Sequence, residues 1–227
     1  MNMELNHPIR VIITGATGMV GEGVLHECLL DPKVAAVLVI GRKSCAVTHP
    51  KLRELLVADF SELPSTSPEL SGYDACFFCA GVTSVGKKED AYYRLTYILT
   101  LRFAETLSGI NPGMIFCYVS GAGTDSSEKG RSMWARVKGK TENDLMKLPF
   151  RAVYNFRPGY MHPTKGLRYT NPYYKYIAWL YPVLRRIVPN GVSTLADLGR
   201  AMIRVAGSGY KKPIIEVKDI KILAAGT

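Results

Sequence analysis

Residues 14–23 read TGATGMVGEG, and the fold follows from what stands on either side of that run. Before it comes IRVIITG (9–15), a short β-branched stretch of the kind that makes a buried strand. After it comes MVGEGVLHECLL (19–30), with helical spacing that stops ahead of Asp31-Pro32. The run therefore joins a strand to a helix. Its glycines, Gly15, Gly18 and Gly21, form G-x-x-G-x-x-G. Gly15 permits a tight turn off the strand, Gly18 lets the backbone approach a pyrophosphate, and Gly21 lets the helix pack closely on the sheet. Unpaired N–H groups and the helix dipole then meet the anion. Thr17, Met19 and Val20 complete the predicted cofactor-facing turn. The competing reading is a glycine-rich turn with no ligand.

Strand and helix signals go on alternating beyond that turn. VAAVLVIGR, ELLVADF, YDACFFCAG, GMIFCYVSG and FRAVYNFRPG are apolar, strand-like runs. KEDAYYRLTYILTLRFAETLSG and SMWARVKGKTENDLMKL are amphipathic helix candidates. Such alternation implies βαβ units and a mostly parallel, doubly wound α/β sheet covered on both faces. The reading is a single Rossmann domain over 1–227. A small C-terminal helical cap is expected over about 160–212, where NPYYKYIAWLYPVLRRIVPNG and TLADLGRAMIRVA lie. PIIEV is a candidate late edge strand. Tyr173, Tyr174, Tyr176, Trp179 and Tyr181, with Arg185 and Arg186, are read as pocket wall or core, or as an interfacial or dimer surface.

Arg42 follows the second strand, in VIGRKS. A binder of NAD usually places an acid there for the ribose 2′-hydroxyl, whereas an arginine suits a 2′-phosphate. Arg42 and Lys43 offer two cations and no acid, and arginine grips phosphate in a bidentate fork. The expected cofactor is NADP(H). Asp59, at the end of the third candidate strand, is placed to accept from an adenine amino group with Phe60 beside the base; a turn or helix cap is its plain reading. Ala80 and Gly81 end the fourth strand, where small residues leave room for a cofactor.

Composition sets the outer bounds. The chain has 227 residues and a net charge of +10. Residues 1–128 carry ten Lys and Arg against fourteen Asp and Glu, while residues 129–227 carry nineteen against five. A basic second half favours an anionic partner, or is simply a solvated basic face. No helix-turn-helix, zinc-finger or RNP signature accompanies it, so nucleic acid is not expected. Five cysteines give no disulfide framework, and Cys76 and Cys79 of the C-x-x-C would point to opposite faces of a strand. The four histidines lack ligand spacing, so no metal site is expected. No signal-peptide layout or membrane span is read, and the expected compartment is the cytosol.

TGATGMVG, GR, ADF, CAG, YVSGAG, VKGKTE and FRPG occur here in the order found in atypical short-chain dehydrogenase/reductases. Over residues 9–160 the chain resembles the Tat-interacting-protein-like branch, related to NAD(P)-dependent epimerases. The resemblance implies a Rossmann fold with NADP(H) across the strand ends, Pro158 of FRPG among the residues lining it, and an oxidoreductase or epimerase acting on an unknown carbonyl substrate. It also implies a serine at the end of the fifth strand that holds the substrate carbonyl, and a Tyr-x-x-x-Lys on the next helix. Ser120 and Lys138 match; the tyrosine position is Trp134. Indole has no proton to exchange at ordinary pH, and no tyrosine in the chain has a lysine four residues on. Tyr160 and His162, then Tyr92 and Tyr93, are alternative proton donors by position. The remaining readings are a catalytically inactive NADP(H)-binding sensor or scaffold, and a basic surface for nucleic acid or membrane. Monomer and homodimer both fit.

Overall fold

β1 (Ile9–Thr14), β2 (Val34–Gly41) and β4 (Ala75–Phe78) are the β-branched and aromatic runs of the sequence. They form the middle of a seven-stranded sheet. The computed structural model describes residues 5, 7–60, 63, 67–169, 179 and 181–226. β3 (Leu52–Leu56), β5 (Ile115–Val119), β6 (Ala152–Arg157) and β9 (Ile214–Glu216) complete the sheet, in the order β3-β2-β1-β4-β5-β6-β9. Every pairing is parallel. Strand order reverses between β1 and β4, and such a switch point opens a crevice at the strand C-termini.

Both faces are covered, which is why the strands read as continuous apolar runs. On one face α1 (Met19–Leu30), α6 (Leu195–Ser208) and α7 (Val217–Ala225) bury Val24, Leu25, Leu198, Met202 and Ile220 against Val11, Ile13 and Val37. On the other, α3 (Leu99–Ile110) and α4 (Met133–Leu145) bury Leu101, Phe103, Leu107 and Leu145 against Ile12, Phe78 and Phe116. Cys76 and Cys79 fall on opposite faces, Cys76 in the second core and Cys79 against the first, and both are free thiols.

Three expectations are corrected. The third strand is Leu52–Leu56, not 54–60. The apolar run ELLVADF joins a half-exposed edge strand to a loop that plugs the core: the Phe60 ring lies 5.3 Å from that of Phe103 and 6.4 Å from that of Phe78. Asp59 is therefore in that loop, not at the strand end. The long helix predicted from residue 88 runs continuously from Glu89 to Ile110, but with a π-helical turn (Arg94–Ile98) between α2 (Glu89–Tyr93) and α3, the dihedrals at both junctions staying helical. One extra residue per turn leaves the apolar pattern nearly intact, so periodicity does not reveal it. α6, placed with the cap from the sequence, belongs to the helix layer on α1; Thr194 and Asp197 cap it reciprocally at 2.9 and 3.0 Å. α7 was not anticipated.

What remains of the cap includes a parallel pair, β7 (Tyr160–His162) with β8 (Val192–Thr194), and the short helix α5 (Tyr181–Ile187). Tyr173, Tyr174 and Tyr176 lie outside the described residues. Trp179 is 73% exposed and so is not core. Among the described residues no helix is long and apolar enough to cross a membrane.

Candidate dinucleotide and catalytic site

The glycine turn sits at the C-terminal end of β1, beside the switch point. Gly15 has φ +75°, a left-handed value that disfavours a side chain, and a Cβ there would lie 2.7 Å from the backbone of Cys79 and Ala80. At Gly21 a Cβ would lie 2.1 Å from the Gly15 oxygen, so α1 reaches the turn only because residue 21 has no side chain. Gly18 and Gly81 differ. A Cβ on Gly18 meets only the Gly15 oxygen, at an ordinary 3.5 Å, and one on Gly81 meets nothing within 4 Å. The protein's own packing demands glycine at 15 and 21 and leaves open space at 18 and 81. Gly18 caps α1 without a side-chain hydrogen bond. The N–H groups of Met19, Val20 and Gly21 have no acceptor among the described residues. A pyrophosphate fits this donor set.

Around the turn, Thr17 and Gly18 are exposed, and Met19 and Val20 pack their side chains on the first core. Ala80 N–H donates to Thr14 Oγ1 at 3.2 Å, which ties the ends of β4 and β1 together. Arg42 and Lys43 are exposed at the end of β2 with no ion pair among the described residues. Asp59 is exposed and Phe60 half-buried; the Phe60 ring is committed to core aromatics rather than left to stack on a base.

Beyond β5 the structure assembles a cluster of which the sequence showed only part. Lys138 donates to the Ser120 carbonyl. The Ser120 hydroxyl donates inward, to Glu142 Oε1 at 2.5 Å, with the Phe156 carbonyl at 3.1 Å. It is 7% exposed, and both of its hydrogen-bond partners lie inside the protein. Glu142, 0% exposed, also receives Arg157 Nε at 3.0 Å and Nη2 at 2.5 Å. Glu142 and Arg157 are the residues that sequence reasoning missed. Glu142 stands one helical turn after Lys138, on the same face, and an arginine ending a buried strand requires an acid. Pro158 is buried, and its carbonyl accepts from Ala122 N–H at 2.9 Å, joining the loops after β5 and β6. Trp134 lies over the turn after β5: added Cβ atoms on Gly123 and Gly121 would stand 3.6 and 4.0 Å from its ring.

Burial pushes the Lys138 ammonium down to about 8, with Glu142 holding it partly back up. Lys138 is half-buried and bonded to the Ser120 carbonyl rather than freely solvated. Its ordinary value is 10.5, so between about pH 8 and 10.5 the folded protein binds fewer protons than the unfolded chain. Stability is therefore expected to rise with pH across that window, by at most about 3 kcal/mol. Urea melts of the protein and of Lys138→Met at pH 8 and pH 10 check this; a pH difference of equal size in both would remove Lys138 as its source.

The alternative proton donors lie on α2 and β7. Tyr92 is 1% exposed and burial raises its phenol. Tyr93 stacks on Tyr97 at 4.6 Å. Both are packing residues. Tyr160 and His162 stand on β7, just after Pro158, whose carbonyl holds the loop that follows Ser120. The His162 ring stacks on Tyr181 at 4.4 Å, and its Nδ1 is buried with no partner among the described residues. Burial, then Lys165, lowers its titration, so it is neutral at pH 7.

Comparison with known proteins bears on this arrangement. Residues 11–131 match the model of the NAD dependent epimerase/dehydratase family. The rat protein HTATIP2 is 30% identical over 151 residues, which are 66% of this chain and 61% of that protein. The Aspergillus oryzae protein fmp52-1, named as mitochondrial, is 28% identical over 153 residues, 65% of this chain and 63% of its own length. This chain therefore matches somewhat under two thirds of the length of these two relatives. Among solved structures, MoeE5 in complex with UDP-glucose and NAD superposes with a TM-score of 0.63 at 17% identity, covering 96% of this chain and 81% of that one. That likeness establishes the Rossmann-type fold, and the family match covers the glycine turn and the strands β1 to β5. The chain belongs to the NAD dependent epimerase/dehydratase family.

Proposed function

We propose that the protein binds NADP(H) at the C-terminal ends of β1, β2 and β4 and acts as an oxidoreductase or epimerase on a carbonyl of a small molecule. The observation that carries this is the donor set of Met19, Val20 and Gly21 behind two glycines, Gly18 and Gly81, whose bare faces the protein leaves open. Arg42 and Lys43, without carboxylate partners among the described residues, support the 2′-phosphate. The cofactor, when bound, supplies hydride transfer. In this reading Lys138 holds the end of β5 and anchors the ribose, and it is the group beside Ser120 that trades a proton near neutral pH. Indole at 134 cannot do so.

A second reading is NADP(H) binding without turnover. The inward hydrogen bond from Ser120 to Glu142 favours it, since a serine so engaged has no proton left for a substrate. Calorimetric titration with NADPH and NADH, followed by NADPH oxidation against a carbonyl panel, tests both. Binding with turnover supports the first reading; binding with no turnover across the panel supports the second; binding of neither cofactor removes both. Arg42→Ala is expected to weaken NADPH by about 10- to 100-fold and to leave NADH within about twofold, the value of a charged hydrogen-bonded pair. Equal loss for both would remove the 2′-phosphate assignment.

The cytosol is the proposed compartment, since five free thiols suit a reducing environment. The mitochondrial name of the fungal relative is the specific alternative, and cell fractionation decides between them.

A further inference from the structure

Glu22 presents a problem that its surroundings answer. It is an acid in the first turn of α1, the helix whose N-terminus faces the proposed pyrophosphate, and it is 8% exposed. An unscreened carboxylate there would repel the anion. Instead both its oxygens are occupied. The backbone N–H of Arg168 donates to Oε1 and that of Tyr169 to Oε2, each at 2.7 Å. Residues 163–169 thus form a strap from the end of β7 back across α1, and Leu167 packs on the first core to hold it.

The strap carries a cation to a particular place. Arg168 is exposed, and its Nη1 donates to the Ala46 carbonyl at 3.2 Å. Ala46 lies in the loop between β2 and β3, which begins with Arg42 and Lys43. That loop is pinned from β3: Glu54 accepts from Ser44 Oγ at 2.8 Å and from Cys45 N–H at 2.7 Å. Arg168 reaches the loop from 122 residues away in sequence and, like Arg42 and Lys43, has no carboxylate partner among the described residues. Three like charges brought to one loop outweigh the Glu54 carboxylate that pins it, and an anion bound among them offsets their mutual repulsion.

We propose that Arg168 is a specificity-determining residue: a third cation, delivered by the strap, that joins Arg42 and Lys43 in binding the 2′-phosphate of NADP(H). This rests on the cofactor reading above, and it makes the strap's anchor, Glu22, a positioning residue for nucleotide selection.

The test is calorimetry with NADPH and with NADH on the intact protein and on Arg168→Ala, Arg168→Lys, Glu22→Ala and Arg42→Ala. Arg168→Ala removes an exposed side chain, so the melting curve should not move. NADPH is expected to bind about tenfold more weakly, with NADH within about twofold, as for one lost charge-assisted contact. Arg168→Lys should recover part of the loss. Glu22→Ala releases the strap, so it should lower the NADPH preference in the same direction, and adding Arg168→Ala to it should lower it little further. An unchanged preference in Arg168→Ala while Arg42→Ala loses its own overturns this inference alone. No change of preference in either variant, or binding of neither dinucleotide by the parent protein, overturns the cofactor reading and this inference with it.

Discussion

Glu142→Ala is expected to destabilise the protein by about 3–5 kcal/mol, the cost of leaving a buried charge without its partner. Glu142 is 0% exposed and accepts three hydrogen bonds, two from Arg157 and one from the Ser120 hydroxyl. With the carboxylate gone, the Arg157 guanidinium keeps the Ser126 hydroxyl at 2.5 Å and a distant Glu216 at 3.5 Å. Neither restores a carboxylate fork inside the sheet. The Ser120 hydroxyl is left with the Phe156 carbonyl, and Lys138 loses the neighbour that holds its pKa up, so its titration should move below about 8. The double variant Glu142→Leu with Arg157→Met should recover most of the stability, because an apolar pair of similar volume carries no desolvation cost. Urea denaturation of the two variants measures both effects. A loss under about 1 kcal/mol for Glu142→Ala would mean that water reaches the cluster and replaces the carboxylate.

The sequence showed the sheet through particular runs. IRVIIT, ACFF and IFCYV have no polar alternation, which only a strand covered on both faces tolerates. Gly15 and Gly21 were legible because their reason is steric and local. The misplaced β3 shows the limit: ELLVADF is equally apolar whether its last residues hydrogen-bond in a ladder or, as Phe60 does, fill a gap beside Phe103. The π turn at Arg94–Ile98 left no trace in composition. At the site, Ser120 and Lys138 were found by position, but what they touch was not. Their partners Glu142 and Arg157 sit on different elements, and their meeting depends on how α4 lies over β5 and β6. The same holds for the strap, since no local pattern connects Glu22 to residues 146 and 147 positions away.

Gly21→Ala and Gly18→Ala are expected to part company, and the contrast decides whether the turn is a site. At Gly21 the new Cβ would lie 2.1 Å from the Gly15 oxygen and 2.4 Å from its carbonyl carbon. Those are backbone atoms of a turn already wedged against β4, so α1 must move, and a loss of about 3 kcal/mol or more is expected. Gly18 has φ −122° and ψ 160°, an extended conformation open to any residue. Its Cβ would meet the protein at 3.5 Å, so stability should change by no more than about 1 kcal/mol. That same Cβ would stand where a pyrophosphate must approach the N–H groups of Met19 to Gly21. Dinucleotide affinity in Gly18→Ala is therefore expected to fall at least about tenfold while the melting curve stays in place. If Gly18→Ala instead loses as much stability as Gly21→Ala, the open face belongs to the protein's own packing. If it binds NADPH as the parent does, no phosphate comes close to residue 18, and the donors of α1 serve some other purpose than a dinucleotide.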